Sequence, residues 1–313
     1  MTFENLSKLT HATLLNEPFV SSFYDIVFDP ARVKRGDLFV GNDPEAIKEA
    51  VGRDAYAILS DRRVAILDDE IAWLRCDDID RALLALLRYR VMQKDLDLCY
   101  CDEVSLELMG QIAAKEAIHC LGADLKTNFQ TLMHASPEQC IFSSDLALLE
   151  KIAPAYRQIE NAPETILQPL KSTLFHTTFY YRGKRFEQIR LPQIFLSRVE
   201  NLLYFLERHE IRFDLHRIDY PTQFYPIFVS RNLTLKPFGT TPQAIIATDD
   251  KYHESVLDYI AGTAPWARTV CVSDLDRLKE IEFNFAIIDT TPHALMQRLQ
   301  TYQIKEQVSL FQE

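Results

Sequence analysis

The sequence predicts an α/β protein of three modules, because short apolar strands alternate with amphipathic helices along most of its length. Residues 1–92 form the first predicted module, a small α/β domain closed by a helix. Residues 93–227 form a reduced central α/β module, and residues 228–313 alternate strand and helix as in a Rossmann-like parallel sheet. With 313 residues, 47% of them hydrophobic, the chain can build two or three domains with sizeable cores.

The first module is organised around residues 29–40. In this stretch a polar segment connects the preceding apolar run to a second strand. Gly36 and Asp37 form the predicted turn, and glycine is the residue that best adopts a positive φ angle there. Residues 38–40 are the strand that follows. Further predicted elements are a helix at 44–51, strands at 55–60, 64–67 and 71–75, and an amphipathic helix over 79–91.

The other two modules are predicted from the same alternation of strand and helix. The predicted elements of the second module are a strand at 96–101, helices at 105–121, 146–152 and 198–208, a strand at 140–142 and a hairpin around 182–184. Those of the third module are strands at 244–247, 269–272 and 285–288, and a helix at 254–260.

Composition excludes several classes of function. A net charge of −11 argues against a nucleic-acid partner, which needs a basic face. The sequence has no leader pattern and no apolar run of membrane-spanning length, so we expect a cytoplasmic protein without a membrane span. The six cysteines lie in or beside apolar segments and are expected to be reduced, buried thiols. Cys99, Cys101, His119 and Cys120 fit no standard zinc spacing, so we assign no metal ligand.

Several segments carry a resemblance to a known family. Asp29, Lys34 and residues 36–40 match its N-terminal domain in order and spacing. Further matching segments are residues 46–50, 55–59, 83–89, 127–131, 147–154 and 245–255. Together they resemble the Mur ligases, three-domain ATP-dependent enzymes that add amino acids or dipeptides to the UDP-linked peptidoglycan precursor. The resemblance implies an N-terminal domain that binds a uridine nucleotide.

The chain departs from that family where ATP is held. The family has a glycine-rich loop ending in Gly-Lys-Thr after the first strand of its central domain. Here Asp102, Glu103 and Glu107 stand in its place, and their charges would repel a triphosphate. The segment that begins at Gly122 ends in Lys126 and Thr127, as a phosphate-binding loop ends in Lys-Thr. These two residues are the candidate nucleotide-binding residues. This segment lacks the second glycine and is expected to follow a helix, so Gly122 also fits a helix C-terminus before a solvated turn.

Six residues are candidates for substrate binding. The family's Asp-Ser-Arg becomes Asp29, Pro30 and Ala31 here, and Lys34 lies in a small basic segment that fits either a diphosphate or a solvated loop. Asp249, Asp250 and His253 follow a predicted parallel strand, where α/β folds bind ligands, although an aspartate there also fits a helix cap. Arg231 matches a family arginine at the entry to the third domain and equally fits a surface position.

These departures lead to the predicted function. We expect a shortened, catalytically degenerate Mur-ligase-like protein that serves as a binding or regulatory protein linked to peptidoglycan precursor metabolism, and we assign no catalytic residue. Its partner is expected to be a nucleotide-sugar or a protein. The alternative is an active ATP-dependent amide ligase with an atypical nucleotide site, and only this alternative requires ATP and magnesium. A third hypothesis is a surface for oligomerisation or partner docking, suggested by the 11% aromatic content.

Overall fold

The computed structural model describes residues 1–310, with side chains as far as Tyr302. The chain forms two compact units. Unit 1 comprises Met1–Cys101 and Glu116–Gln158, and unit 2 comprises Asp102–Lys115 and the chain from Ile159 onwards. The end of the predicted third module, residues 311–313, lies outside the described residues, and the predicted boundaries at 92/93 and 227/228 stay a prediction.

Unit 1 contains five helices and nine strands within the described residues. The helices are α1 (Phe3–Thr10), α2 (Pro44–Gly52), α3 (Ile79–Lys94), α5 (Leu125–His134) and α6 (Leu146–Ile152). The strands are β1 (Thr13–Leu14), β2 (Ile26–Val27), β3 (Leu38–Val40), β4 (Ala57–Ser60), β5 (Ala72–Arg75), β6 (Asp97–Tyr100), β7 (Ile118–Cys120), β8 (Cys140–Ser143) and β9 (Arg157–Gln158).

These strands form two sheets. The first has the order β1-β5-β4-β3-β2, in which only β1 is antiparallel to its neighbour, and the second is the parallel sheet β7-β8-β6-β9. Strand residues alternate between the two faces of the first sheet. Leu38 and Leu59 join the core that contains α1 and α3, whereas Phe39, Ile58 and Trp73 join the smaller core beneath α2. Burial on both faces explains why these strands are continuously apolar.

Unit 2 contains helix α4 (Glu103–Ile112) and the elements after residue 159. Its other helices are α7 (Leu196–Arg208), α8 (His253–Thr263) and α9 (Pro292–Leu310). Its strands are β10 (Gln168–Ser172), β11 (Thr177–Tyr181), β12 (Lys184–Ile189), β13 (Tyr225–Phe228), β14 (Ala244–Thr248), β15 (Thr269–Cys271) and β16 (Phe285–Asp289). Short 3₁₀ turns lie at Pro30–Arg32 in unit 1 and, in unit 2, at Gln193–Phe195, Leu215–Arg217, Thr222–Phe224, Asp250–Tyr252 and Asp276–Lys279.

Unit 2 also has two sheets. Strands β10, β11 and β12 form an antiparallel meander, and β13-β14-β16-β15 form a sheet in which β14, β16 and β15 are parallel. The mixed α/β fold class with a C-terminal parallel sheet is therefore confirmed. Within the described part of the chain, no helix has both the length and the apolar character needed to cross a bilayer.

Two predicted elements and part of the cysteine prediction are wrong. Residues 64–67 form no strand, and Ile66 and Leu67 are 41% and 52% exposed because no neighbouring strand covers them. The predicted helix 105–121 is α4, which ends at Ile112, followed by the parallel strand β7. The chain turns because Ala114 N donates a 2.9 Å hydrogen bond to Arg212 O. Four of the six cysteines are buried, whereas Cys120 and Cys271 are exposed.

Candidate functional site

The connection from β6 to α4 is short and closed by its own side chain. Only Cys101 and Asp102 separate Tyr100, the last residue of β6, from Glu103, the first of α4. Asp102 is the N-cap residue, and its carboxylate accepts hydrogen bonds from Ser105 N at 3.2 Å and Ser105 Oγ at 2.8 Å. Such a cap satisfies an amide at the positive end of the helix. We call residues 101–107 the α4 junction.

Each carboxylate of the α4 junction has a partner in unit 2. Arg198 Nε of α7 donates to Asp102 Oδ1 at 3.1 Å. Lys251 Nζ forms an ion pair with Glu103, and this hydrogen bond is the main cause that raises the pKa of Lys251. Glu107 accepts hydrogen bonds from Thr222 N at 2.9 Å and Thr222 Oγ at 2.8 Å. These acidic residues therefore connect α4 to α7, the Asp250–Tyr252 turn and the Thr222–Phe224 turn.

The acidic turn after β14 lies beside the α4 junction. Asp249 caps the 3₁₀ turn Asp250–Tyr252 by accepting a hydrogen bond from Lys251 N at 3.2 Å. Its carboxylate therefore serves as the cap that the sequence suggests as one alternative. The Asp250 carboxylate is 85% exposed, and its Oδ1 lies 3.6 Å from His253 Nδ1. His253 Nε2 is buried without a hydrogen-bond partner within the described residues. Asp250 is thus exposed at this turn, and His253, the first residue of α8, lies directly beside it.

The Lys251–Glu103 pair positions the turn more than it stabilises the fold. Their side chains are 48% and 43% exposed, and solvent-exposed ion pairs contribute about 0–1 kcal/mol. Lys251 Nζ also lies 5.2 Å from the centroid of the Tyr252 ring, a distance typical of cation–π contacts. Burial is the main cause that raises the pKa of the Tyr252 phenol.

Gln223 is a second polar group at this edge of the sheet, and no sequence pattern predicts it. Gln223 is 7% exposed, and its Oε1 is buried without a hydrogen-bond partner in the described part of the chain. Its backbone carbonyl accepts a 2.7 Å hydrogen bond from Thr248 Oγ, at the end of β14. Buried polar atoms are nearly always paired, so Gln223 Oε1 and His253 Nε2 are two exceptions among the described residues of unit 2.

Arg231 lies in the loop between β13 and β14. Its side chain is 80% exposed, and Nη2 is 3.9 Å from a Glu282 carboxylate oxygen. The loop is closed by the hydrogen bond from Ser230 N to Thr234 O at 2.8 Å, and the buried Leu233 has a φ of 60°. Arg231 is therefore a surface arginine in unit 2, with no contact to Asp249, Asp250 or His253 among the ion pairs of the described residues.

In unit 1, Asp29 and Lys34 help to shape the loop between β2 and β3. Asp29 caps the 3₁₀ turn Pro30–Arg32 and accepts a hydrogen bond from Ala31 N at 3.0 Å. Lys34 N donates a 2.9 Å hydrogen bond to the buried carboxylate of Asp37, and Gly36 has the expected positive φ, at 96°. The backbone of this loop is therefore fixed by aspartates.

Lys126 and Thr127 lie in the first turn of α5. The segment follows strand β7, so the expectation that it follows a helix is wrong. Asp124 is the N-cap and accepts hydrogen bonds from Thr127 N at 2.8 Å and Thr127 Oγ at 2.6 Å, which lower the pKa of Asp124. Lys126 Nζ lies 5.7 Å from the centroid of the ring of Phe28, the residue that precedes Asp29. An aspartate thus occupies the helix N-terminus at which a phosphate would bind.

Comparison with known proteins identifies the fold. No model of a protein family and no curated protein sequence matches this chain. A MurF structure from Acinetobacter baumannii matches 96% of this chain and 93% of its own, with 11% identity and a TM-score of 0.52. The MurF ligase from Thermotoga maritima in complex with ADP matches 90% of this chain and 97% of its own, with 11% identity and a TM-score of 0.51. The chain has a Mur-ligase-like fold.

The contacts of the α4 junction show which residues of the candidate site sequence reasoning missed. The partners of the α4 junction are Arg198, Lys251 and Thr222, which lie about a hundred residues or more further along the chain. No local spacing connects them to Asp102, Glu103 and Glu107. Arg198 and Lys251 carry the charge opposite to that of the carboxylates with which they pair. Sequence reasoning can use this complementarity only once the strand order is known.

Proposed function

We propose that this chain is a catalytically degenerate Mur-ligase-like protein that acts in the cytoplasm as a binding or regulatory protein linked to peptidoglycan precursor metabolism. The α4 junction carries the proposal. A phosphate-binding loop needs glycines whose amides approach the ligand and a lysine that neutralises it. Here two residues connect strand to helix, and Asp102 already accepts the hydrogen bond that the Ser105 amide donates.

Electrostatics at the α4 junction disfavour a triphosphate. At roughly 4 Å and an effective dielectric constant of about 20, two like unit charges repel by about 4 kcal/mol. Asp102, Glu103 and Glu107 present three carboxylates within six consecutive positions of the chain. Arg198 and Lys251 are engaged with two of them, so they offer little attraction to a phosphate.

The proposed ligand is a nucleotide-sugar. Asp250 and His253 are proposed to contact it in unit 2, because the Asp250 carboxylate is exposed and its Oδ1 lies 3.6 Å from His253 Nδ1. Asp249 and Arg231 are proposed to assist, the first by holding the turn and the second as an exposed cation. In unit 1, Lys34 and Asp29 are proposed to contact a nucleotide-sugar at the loop between β2 and β3.

A thermal-shift experiment tests the proposal. The protein is heated with UDP, UDP-N-acetylglucosamine, ADP or ATP-magnesium, because a ligand at about a hundredfold its Kd stabilises the folded state by about 2.7 kcal/mol. We expect UDP-N-acetylglucosamine to raise the melting temperature and millimolar ATP-magnesium to leave it unchanged. His253→Ala and Lys34→Ala are expected to reduce the UDP-sugar shift, and Lys151→Ala, an exposed lysine of α6, is the matched control. ATP hydrolysis that depends on a UDP-sugar and is lost in Lys126→Ala would contradict the proposal.

The alternative proposal is an active ATP-dependent amide ligase that uses the segment from Gly122 to Thr127. The observation in its favour is the strand, turn and helix context, since β7 precedes the segment and α5 begins at Leu125. It requires ATP and magnesium, with Lys126 and Thr127 at the phosphates. It predicts that ATP-magnesium raises the melting temperature and that Lys126→Ala abolishes the shift, whereas Lys151→Ala does not. No shift at millimolar ATP-magnesium contradicts it.

A further inference from the structure

Strand β1 is an exposed edge of the first sheet in unit 1. It pairs with β5 on one side, with Thr13 opposite Arg75 and Leu14 opposite Leu74, and it is the last strand of the sheet on the other side. Residues 12–15 contain neither a charged residue nor a proline, although natural proteins commonly protect sheet edges with one or the other. This edge is therefore open to another strand.

The backbone N–H and C=O of Leu14 point away from the sheet. Leu15 N donates a 2.8 Å hydrogen bond to Trp73 O, so these two residues form a hydrogen-bonded pair of the antiparallel ladder. Such pairs alternate with pairs that share no hydrogen bond, and the pair at Leu14 is the next one along. The amides of Ala72 and Cys76 donate to β4, as this alternation requires. Within the described residues, Leu14 thus offers one unused donor and one unused acceptor.

Apolar side chains surround this edge. Leu15 lies on the same face of the sheet as Trp73, its partner in the ladder. The loop after β4 crosses that face, since Trp73 Nε1 donates a 2.7 Å hydrogen bond to Asp68 O. Phe19 lies beside the start of β5, because its amide donates a 3.0 Å hydrogen bond to Glu70 O. The exposed apolar residues here, which we call the β1 surface, are Leu14, Leu15, Phe19, Ile66 and Leu67.

The two ends of the β1 surface differ in charge. The end beside Phe19, the acidic end, has four carboxylates outside the ion pairs of the described residues, namely Glu17, Asp68, Asp69 and Glu70. The end beside Thr13, the arginine end, has three exposed arginines that are likewise outside those ion pairs, namely Arg62, Arg63 and Arg75. Asp61, Asp77 and Asp78 also lie at the arginine end, and Asp61 and Asp78 accept amide hydrogen bonds from α3. One end is therefore strongly negative, whereas the charges of the other balance.

A second copy of the chain fits this surface when its β1 runs in the opposite direction. Twofold symmetry about Leu14 then lets the Leu14 amide of each copy donate to the Leu14 carbonyl of the other, and two five-stranded sheets join into one. The same symmetry sets the acidic end of each copy beside the arginine end of the other. A parallel arrangement would set acidic end against acidic end, so charge favours the antiparallel one.

We propose that this chain self-associates through the β1 surface as a twofold dimer whose β1 strands pair antiparallel at Leu14. The dimer covers apolar side chains that are 39% to 87% exposed in the single chain. It does not depend on the nucleotide-sugar proposed above, because the loop between β2 and β3 lies at the opposite edge of this sheet. Failure of one proposal therefore leaves the other unchanged.

Sedimentation equilibrium of the full chain tests the dimer between about 1 µM and about 100 µM. We expect the mass to rise with concentration from 36.3 kDa towards about twice that value. Hydrogen exchange at both concentrations locates the interface, because the Leu14 amide is expected to exchange more slowly in the dimer. A chain that is monomeric at about 100 µM overturns the proposal, as does a dimer in which exchange at Leu14 is unchanged.

Two substitutions in β1 test the pairing. Leu14→Pro removes the outward amide at an edge position where proline is tolerated, and it is expected to raise the dimer Kd about tenfold or more because the hydrogen bonds between the copies are lost. Leu15→Lys places a charge in the apolar interface, is expected to weaken the dimer similarly, and tests the proposal if the proline variant does not fold. Phe238→Lys is the matched control, since Phe238 is 48% exposed in unit 2, and it is expected to dimerise as the unchanged protein does.

The variants also give results that contradict the proposal. It is overturned if Leu14→Pro and Leu15→Lys both dimerise with the Kd of the unchanged protein. It is equally overturned if Phe238→Lys weakens the dimer as much as Leu15→Lys does, because the interface would then lie in unit 2.

Discussion

Gly36 is the residue on which the loop between β2 and β3 depends. Its φ of 96° is unfavourable for any residue with a Cβ, and an added Cβ would overlap the Tyr24 ring. Gly36→Ala is therefore expected to lower the free energy of unfolding by about 1–3 kcal/mol, measured by urea unfolding. Gly52→Ala is the control, since Gly52 ends α2 with no atom within 4 Å of the added Cβ, and it is expected to be equally or more stable.

The Tyr24 ring allows the two causes of that destabilisation to be separated. Tyr24 is 82% exposed, so its ring can move or be removed with little loss of packing. In the double variant Gly36→Ala with Tyr24→Ala, the overlap is gone while the positive φ remains. We expect the double variant to remain less stable than Tyr24→Ala alone. Equal stability would show that the ring overlap, and not the backbone, makes glycine necessary.

His176 makes the stability of unit 2 depend on pH. Its Nε2 lies 3.2 Å from the hydroxyl of the buried Tyr220, and burial, followed by the charge of Arg190, lowers the pKa of His176. A histidine of the unfolded chain has a pKa of about 6.5 and takes up a proton first as the pH falls. Protonation therefore favours the unfolded state, so this contribution to stability is present above about pH 6.5 and is lost at lower pH.

The His176→Gln variant tests this pH dependence. Glutamine can still pair with the Tyr220 hydroxyl but does not titrate. The melting temperature of the unchanged protein is expected to fall more between about pH 7.5 and about pH 5.5 than that of the variant. His293→Gln is the control because His293 is exposed on α9. The prediction is contradicted if His176→Gln and His293→Gln show the same pH dependence as the unchanged protein.

At the scale of an element, the N-terminus of α4 depends on Asp102. Asp102→Ala removes both the cap of Ser105 N and the pairing with Arg198 Nε, and loss of a helix cap typically costs about 1 kcal/mol. Asp102→Ser keeps a cap oxygen but loses the carboxylate that pairs with Arg198, and it is expected to recover most of the loss because the pair is partly exposed. Urea unfolding of both variants distinguishes the two roles. If Asp102→Ser is as unstable as Asp102→Ala, the ion pair with Arg198 is the larger contribution.

Local pattern was sufficient for most elements of the fold. The apolar spacing over 79–91 corresponds to α3, the glycine turn at 182–184 joins β11 to β12, and the predicted helix 146–152 has the observed bounds. The failures arise where long-range contacts decide. Residues 64–67 are apolar but have no partner strand, and residues 118–120 become a strand because β8 accepts them in register.

The candidate site could be predicted only in part for the same reason. The sequence of residues 249 and 250 fits an aspartate cap in the turn after β14 as one of two interpretations, and the structure assigns the cap to Asp249. Gln223, Arg198 and Lys251 contribute to the site through contacts across long stretches of sequence, so no spacing indicated them. Whether the six predicted substrate-binding residues contact a ligand stays a prediction.

At the scale of the whole molecule, the chain passes between the two units three times. Helix α4 belongs to unit 2, although the strands before and after it, β6 and β7, belong to unit 1. The helix packs against α7 and the turn Leu215–Arg217. Unit 2 is thus completed by a segment, Asp102–Lys115, that is inserted into the sequence of unit 1. A boundary drawn at a single position cannot separate the two units.

This insertion predicts that the chain from residue 159 onwards does not fold as the full protein does. The missing α4 supplies Val104, Leu108, Met109 and Ile112, which are each at most 1% exposed. Each such side chain contributes about 1.5–3 kcal/mol when buried, so their sum is comparable with the total stability of a domain, about 5–15 kcal/mol. A fragment of residues 159–313 is expected to lack a cooperative thermal transition.

Fusing residues 102–115 ahead of residue 159 through a flexible linker is expected to restore a cooperative transition, because it returns the buried face of α4 to unit 2. The control is the same fusion with the order of residues 102–115 scrambled, which keeps composition and charge but removes the spacing of the four apolar side chains. Thermal unfolding followed by near-ultraviolet circular dichroism reports the packing of the aromatic side chains. If residues 159–313 alone unfold cooperatively at the temperature of the fusion, α4 is dispensable for the folding of unit 2.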